Sequence, residues 1–502
     1  MSTTGKVTFV GAGSGDPRLL TLRAVEVLAT ADFVLFDPDV HPDVLARLPE
    51  GTTRHPVTPV MSPERIGQML AVEARSGRHA VRIAWGDPLF FGAGDVEAAA
   101  AARHDMPVEV VPGIGPIIAV GAFAGVPLTR SNDVSPSVAA LHVTRGHESL
   151  HDWEKLATAT DTLAILCDAE TVAETARSLV FYGRNANDPV TLVENVSLPS
   201  QRVTETTLGK VPLLPRARAS RVVLAVGTHA TRVKELAWFE SRPLFGRRVL
   251  VTRAREQAGS AATLLRERGA DVVLLPTIEI HPPSDPTPMI DAASALERYG
   301  WVVFTSANGV ERLWGELRRQ GKDARAFGRS NVAAVGPGTA AALERYGIAP
   351  DVVAKDHKGE GLAAELVDAL ARSGEPKPRV LLARAEVARD VVPDALRTHG
   401  YEVDVVAVYK TRSPPRALLE GLSALLEAGE IDVVTFTSSS TAEHLCDALE
   451  ARAAELLAKT CVATIGPITS ETARRRGLRV DVTAEEHTVP GLVTAIEKHF
   501  AK

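Results

Sequence analysis

Thr305, Ser306 and Asn308 lie in the run FTSAN at 304–308, and the run returns as FTSSS at 436–440 with Ser438 and Ser439. A second pair echoes it at nearly the same separation: VGPGT at 335–339, ending in Thr339, and IGPIT at 465–469, ending in Thr469. Hydroxyl residues and Gly-Pro turns between a β-rich run and a helical pattern leave backbone N–H groups unpaired, and with the helix dipole such groups suit a polyanion. N-capping explains any one of these stretches alone, since Ser, Thr and Asn are preferred caps. The repetition points instead to a ligand large enough to need two walls.

Cations follow neighbouring strand patterns: Arg253 and Arg255 after VLVT, Arg384 and Arg389 after VLLA, Lys410 after VVAVY. An exposed Arg is often simply solvated, yet at a strand's carboxyl end it is placed for bidentate carboxylate binding. Near the start, Gly11, Gly13, Ser14, Gly15 and Asp16 form the turn GAGSGDP. WGDPLFFG at 85–92, with Gly86 and Asp87, and VVPGIGP at 110–116, with Gly115, have the same texture. Three Gly/Pro loops after three strands suggest one pocket lined mainly by backbone. The rival is a dinucleotide fingerprint, but the spacing is G-x-G-x-G-D-P rather than G-x-G-x-x-G, and Asp37 is the one acidic strand end about 20 residues on. There is no His/Cys/carboxylate cluster at metal spacing, no Gly-x-Ser-x-Gly elbow and no Walker A sequence. Cys167, Cys446 and Cys461 are too scattered for a disulfide framework and read as small buried apolar residues.

To position such residues the chain must supply many strand ends. Its 502 residues exceed what one core organises, predicting about three or more domains of roughly 100–200 residues. A hydrophobic fraction of 45% with 24% charged residues fits an α/β protein rich in Ala, Val and Leu. With 56 basic against 62 acidic side chains, the net charge of −6 gives no broad reason to bind nucleic acid or anionic lipid. The start MSTTGKVTFVGAG has no leader pattern, and the apolar stretch at 113–128 is too short and broken to span a bilayer, so a cytoplasmic location is expected. A helical stripe begins at about residue 18, after KVTFV. From Gly246 onward strands and helices alternate regularly, which predicts doubly wound parallel sheets in two linked lobes. Between them, the charged and aromatic stretch at 232–248 reads as a junction.

The motifs VLVTRA (249–254), VFTSANGV (303–310), AVGPGTAAAL (334–343), VAVYKT (406–411), FTSSST (436–441) and TIGPITSETA (464–473) resemble, in order and spacing, those of uroporphyrinogen-III synthase. That resemblance implies a bilobed fold with one lobe inserted in the other, the outer lobe from 246–280 plus 412–502 and the inserted lobe from 281–411, bridged by strands near PTIEI and AVYKT. It implies hydroxymethylbilane, a linear tetrapyrrole with carboxylate arms, as substrate. The substrate loses its hydroxyl and closes with inversion of ring D through a spiro intermediate, without a cofactor. Tyr409 matches the family's Tyr that assists departure of the hydroxyl, although a packed strand aromatic would look the same. Arg253, Thr305, Ser306, Asn308, Thr339, Arg384, Ser438, Ser439 and Thr469 would bind substrate.

The first half, with VGAGSGDPRLLTLRA (10–24), ADFVLFD (31–37), GDPLFFGAG (86–94), VVPGI (110–114), AGVPLT (124–129), LVEN and QRV (192–203), is similar to uroporphyrinogen-III C-methyltransferase. The similarity implies a two-lobed α/β fold holding S-adenosylmethionine between the lobes. Asp37 would be the base, and Gly11, Gly13, Ser14, Gly15, Asp16, Gly86, Asp87, Gly115 and Cys167 would line the cofactor. The chain departs from that family's pattern at Trp85 and Pro116, at Cys167 with Asp168, at Val196, and at 54–59, where no Lys stands. The expected division is a methyltransferase-like domain over 1–235, a linker over 236–248 and a synthase domain over 249–502. Cyclisation coupled to C-methylation is the expected function, with tetrapyrroles as partners, no nucleic acid or membrane, and a homodimer through the first half. Two alternatives stand: a synthase whose first half is a non-catalytic binding or scaffold module, and a hinged ligand-binding protein without chemistry.

Overall fold

The computed structural model describes residues 5–129, 137–147, 150–252, 255–275, 279–356, 359–372, 377–412 and 414–501. The chain divides into two compact units, Met1–Val249 with Thr263–Val272 and Ile496–Lys502, and Leu250–Ala262 with Val273–Ala495. Each unit holds more than one hydrophobic core, so the expectation of three or more domains becomes two units, each built from lobes. Among the described residues no helix is long and apolar enough to cross a membrane.

The first unit opens with β1 (Lys6–Gly11), β2 (Phe33–Phe36), β3 (Thr53–Pro56), β4 (His79–Ala84) and β5 (Val108–Val111), in the order β3-β2-β4-β1-β5 and parallel throughout. β1 and β4 are buried on both faces, as the centre of a parallel sheet covered by helices requires. The helical stripe expected from residue 18 resolves into a 3-10 turn at Pro17–Leu19 and a helix at Leu22–Leu28. Thr21 accounts for the break, since its side chain accepts from the Ala24 N–H and so caps a new helix start.

β6 (Val138–Val143), β7 (Thr162–Asp168), β8 (Pro189–Glu194), β9 (Arg202–Thr207) and β10 (Arg221–Val226) form a second sheet, ordered β6-β7-β10-β8-β9. Only β6 and β7 run parallel; the other neighbours are antiparallel. Side chains alternate across it: Leu163, Ile165 and Cys167 enter one core, while Ala164 and Leu166 enter another with the helix Pro116–Ala124. The stretch expected as a linker is packed into this second core. Phe239 is fully buried, its ring 4.7 Å from that of Phe123, and the Trp238 indole donates to the Ala122 carbonyl. Its aromatic content made it look like a junction; burial of those rings makes it part of the first unit.

The second unit contains two sheets. β11 (Arg248–Val251) and β12 (Asp271–Leu274), whose later residues fall within this unit, begin one. β13 (Glu279–His281), β14 (Trp301–Phe304), β15 (Asn331–Ala334), β16 (Val352–Val353), β17 (Val380–Ala385) and β18 (Val403–Arg412) make the other, and the chain then returns to the first with β19 (Val433–Phe436), β20 (Cys461–Thr464) and β21 (Val482–Thr483). The orders are β12-β11-β19-β20-β21 and β13-β18-β17-β14-β15-β16. Numbered along the chain, the outer sheet reads 2-1-3-4-5, a doubly wound order. Without β13 the inserted sheet has the same neighbour relations from a different chain start. Of the expected bridge, β13 pairs antiparallel with the end of β18, His281 opposite Lys410, and residues 276–278 lie outside the described residues. Four helices start after equivalent strands, at Ser306 and Gly336 in one lobe and at Ser438 and Gly466 in the other.

Candidate active sites

In the inserted lobe the ends of β14 and β18 bring Ser306 and Tyr409 together, hydroxyl to hydroxyl at 2.9 Å. Ser306 also caps the helix Ala307–Arg319 by accepting from the Gly309 N–H at 3.1 Å. One hydroxyl thus fixes a helix start and a phenol. Tyr409 is 7% exposed, and burial raises its pKa, against hydrogen bonds to Ser306 and Asn308 that lower it. The phenol therefore keeps its proton at neutral pH. Thr305 and Asn308 are half-buried on the same strand end and helix start. In an open α/β sheet, ligands bind beyond the carboxyl ends of strands where the order reverses, and β14 lies beside β17 at such a place.

The corresponding edge of the outer lobe carries Ser438 and Ser439. Ser438 forms a capping box with Thr441 and lies 2.9 Å from the Ser440 hydroxyl, while Ser439 accepts from the Thr472 hydroxyl at 3.0 Å. Thr339 and Thr469 are buried, 4% and 5% exposed. Arg384 donates to the Arg389 carbonyl at 3.0 Å and to Asp390 at 2.7 Å. Arg253 lies outside the described residues.

In the first unit the three Gly/Pro loops meet. Gly13 and Gly86 exchange both backbone hydrogen bonds at 3.0 Å, and Asp87 accepts from the Leu89 and Gly113 N–H groups at 2.8 and 2.9 Å. A Cβ on Gly11 would lie 2.5 Å from the Gly113 Cα, so glycine is required for that approach, whereas one on Gly115 would meet nothing within 4 Å. The loops therefore leave a backbone-lined cradle, which fits S-adenosylmethionine in kind. Phe91, Asn195 and Ser197 hold φ of 63°, 50° and 69°. Such strain gathers at built sites, and all three lie in loops at this cleft.

Two cavities occupy the cleft, of about 250 Å³ and about 150 Å³. Gly86, Asp87, Gly115 and Asp37 line the larger, Ser14 the smaller. Ser14 also lies 2.8 Å from the Ser197 hydroxyl. Gly15 is held against Leu198 at φ 141°. Asp16 caps the adjoining 3-10 turn and pairs with Arg18 at 2.6 Å. Cys167 is a correction: strand alternation sends its thiol into the opposite core, where burial pushes its pKa up to about 12, and Leu166 faces the cleft instead.

Several groups at this site were not among the expected residues. Arg82 is 5% exposed and pairs with Glu97 at 2.9 Å and Asp37 at 2.6 Å. Burial opposes its charge, but the two carboxylates outweigh that and raise its pKa. Burial also pushes the Glu97 carboxyl up, against the pull of Arg82. The second oxygen of Asp37 accepts from the Trp85 N–H at 2.8 Å. His142 lines the larger cavity with its pKa lowered by burial and by Arg221, and its Nε2 has no partner among the described residues. The signal for Arg82 was visible: a charge within HAVRIAW, a run otherwise fit for a buried strand. Arg221, which merely opens a strand, gave none.

The profile of tetrapyrrole (corrin/porphyrin) methylases matches residues 6–212, and that of uroporphyrinogen-III synthase HemD matches residues 259–494. A porphyrin biosynthesis protein HemD of Ruminiclostridium josui is 30% identical over 97% of this chain and 97% of its own length. A siroheme synthase of Nitrosomonas europaea is 33% identical over 47% of this chain, which spans 52% of that relative. The solved uroporphyrin III C-methyl transferase of Thermus thermophilus aligns with 46% of this chain and 100% of its own at 31% identity and a TM-score of 0.41. Two matched profiles in series and one relative aligned from end to end lead to a single conclusion: this chain belongs to the family of that HemD relative, as one polypeptide joining a tetrapyrrole methylase to a uroporphyrinogen-III synthase.

Proposed function

We propose that the second unit converts hydroxymethylbilane to uroporphyrinogen III and that the first unit C-methylates that product with S-adenosylmethionine. The observation that supports this reading best is the Tyr409–Ser306 pair at a strand end. In the cyclisation, Tyr409 donates its proton as the substrate's C–OH bond breaks, and water leaves. The resulting cation bonds to the substituted carbon of ring D, and the spiro intermediate rearranges. The proton then lost from the closing ring restores the phenol, so the reaction balances as loss of one water. Holding a flexible chain in the closing geometry supplies much of the rate, which is the use for paired helix starts that bind its carboxylates.

In the first unit the cofactor, when bound, would supply an electrophilic methyl group. The loops around Gly13, Gly86 and Gly115 would hold it. Asp37, kept in place by Arg82 and the Trp85 N–H, would take the proton that the methylated pyrrole releases. The test is to give the full chain hydroxymethylbilane with and without S-adenosylmethionine, oxidise the products and separate the porphyrins. Methylated type III product is expected. Type III without methyl groups would remove the methylase reading, and type I alone would remove the synthase reading.

A further inference from the structure

The Trp85 indole stands where the two cavities of the methylase cleft meet. Trp85, Pro116, Leu166 and Arg221 line both. At about 250 and 150 Å³ each cavity falls below the roughly 300–1,000 Å³ of ordinary ligand sites. The loop residues placed around the cofactor are split between them, with Ser14 lining one and Gly86 and Gly115 the other. A single bound molecule touching both sets has to displace what these four residues place between them, and of the four Trp85 and Arg221 carry the largest side chains.

Arg221 stacks on the indole, which also packs against the apolar core around Leu166. Its guanidinium carbon lies 4.6 Å from the Trp85 ring centroid, within cation–π range. Arg221 belongs to the second sheet, and Trp85 follows β4 of the first, so the stack ties the two lobes together. The other contacts of Arg221 are loose: Asp39 at 3.3 Å and Asp168 at 4.0 Å, with about a third of its side chain exposed. A ligand carboxylate could offer it a shorter bidentate pair.

We propose that Trp85 and Arg221 form a substrate-operated gate. A carboxylate of an acidic tetrapyrrole draws Arg221 away from Asp39 and the indole, and the freed Trp85 opens the space an adenosyl-sulfonium cofactor requires. The proposal rests on the methylase reading above. The two ligands then bind in order, and the closed gate lowers cofactor affinity by the fraction of molecules that are open.

The test is calorimetric binding of S-adenosylhomocysteine to the full chain, with and without saturating uroporphyrin III. The wild type is expected to bind about tenfold or more tightly when the porphyrin is present, as for a gate open about one-tenth of the time. Trp85→Gly and Arg221→Gln are each expected to bind tightly without porphyrin and to lose the enhancement. Equal affinity of the wild type with and without porphyrin overturns the gate on unaltered protein and leaves the methylase reading intact. No binding by wild type or either variant, with or without porphyrin, overturns the methylase reading and the gate with it.

Discussion

Tyr409 is a phenol in a nearly dry corner, and its usefulness as an acid depends on keeping its proton. Because burial raises its pKa, cyclisation should not fall between pH 7 and about 9 through loss of that proton, a flat limb that pH–rate profiles can check. Tyr409→Phe should lower turnover by about a hundredfold, the lower end of general acid catalysis, with KM nearly unchanged. Arg82 is the residue whose loss should cost most in stability. Arg82→Met would leave Glu97 and Asp37 facing each other without compensation, at a cost of about 3–5 kcal/mol in thermal or urea unfolding. The double change with Glu97→Gln should recover part of it. His79 and His142 set a pH dependence. Burial lowers both pKa values, so from the unfolded value of about 6.5 down to the folded values the unfolded chain carries more protons. Stability should therefore be full above about pH 7 and fall as pH drops below about 6.5, read as a falling urea midpoint. At this scale the sequence revealed chemistry more readily than partners. Arg82 within an apolar strand announces that a carboxylate must be near, but Glu97, set in a run of alanines, is chosen only by how a helix lies over β4. Cys167 and Leu166 differ by one place in a strand, and only the sheet tells which of them meets the cleft.

The elements carry the repeat. Ser306 and Ser438 cap equivalent helices, and each change to Ala should cost about 1 kcal/mol of stability. Their effects on catalysis should part: Ser306→Ala removes one hydrogen-bond partner of Tyr409, leaving Asn308, and should also slow turnover, by a factor that largely disappears in a Tyr409→Phe background. Steady-state rates of the single and double variants decide this. The four helix starts were legible because Ser, Thr and Gly-Pro after a β-rich run declare a strand-to-helix turn locally. Strand order was not, since neighbours such as β11 and β19 are joined across a whole inserted lobe. The start of the first helix was misplaced for a local reason of its own, Thr21 ending one turn and capping the next.

The whole molecule is two units with separate cores. Calorimetry should show a measured unfolding enthalpy larger than the van't Hoff value, as for more than one cooperative transition. S-adenosylhomocysteine at about 100 times its Kd should raise only one of those transitions, by about 2.7 kcal/mol of stability. The chain path through the second unit has a consequence for how the protein is made. β11 ends at Val251, but its sheet neighbour β19 does not begin until Val433. A nascent chain leaves the ribosome at about 5–20 residues per second, so the first strands of the outer lobe wait, edges unpaired, while the inserted lobe emerges and folds. During synthesis those strands are the stretch most exposed to wrong pairing, and the one where a chaperone holding nascent chains would be most useful.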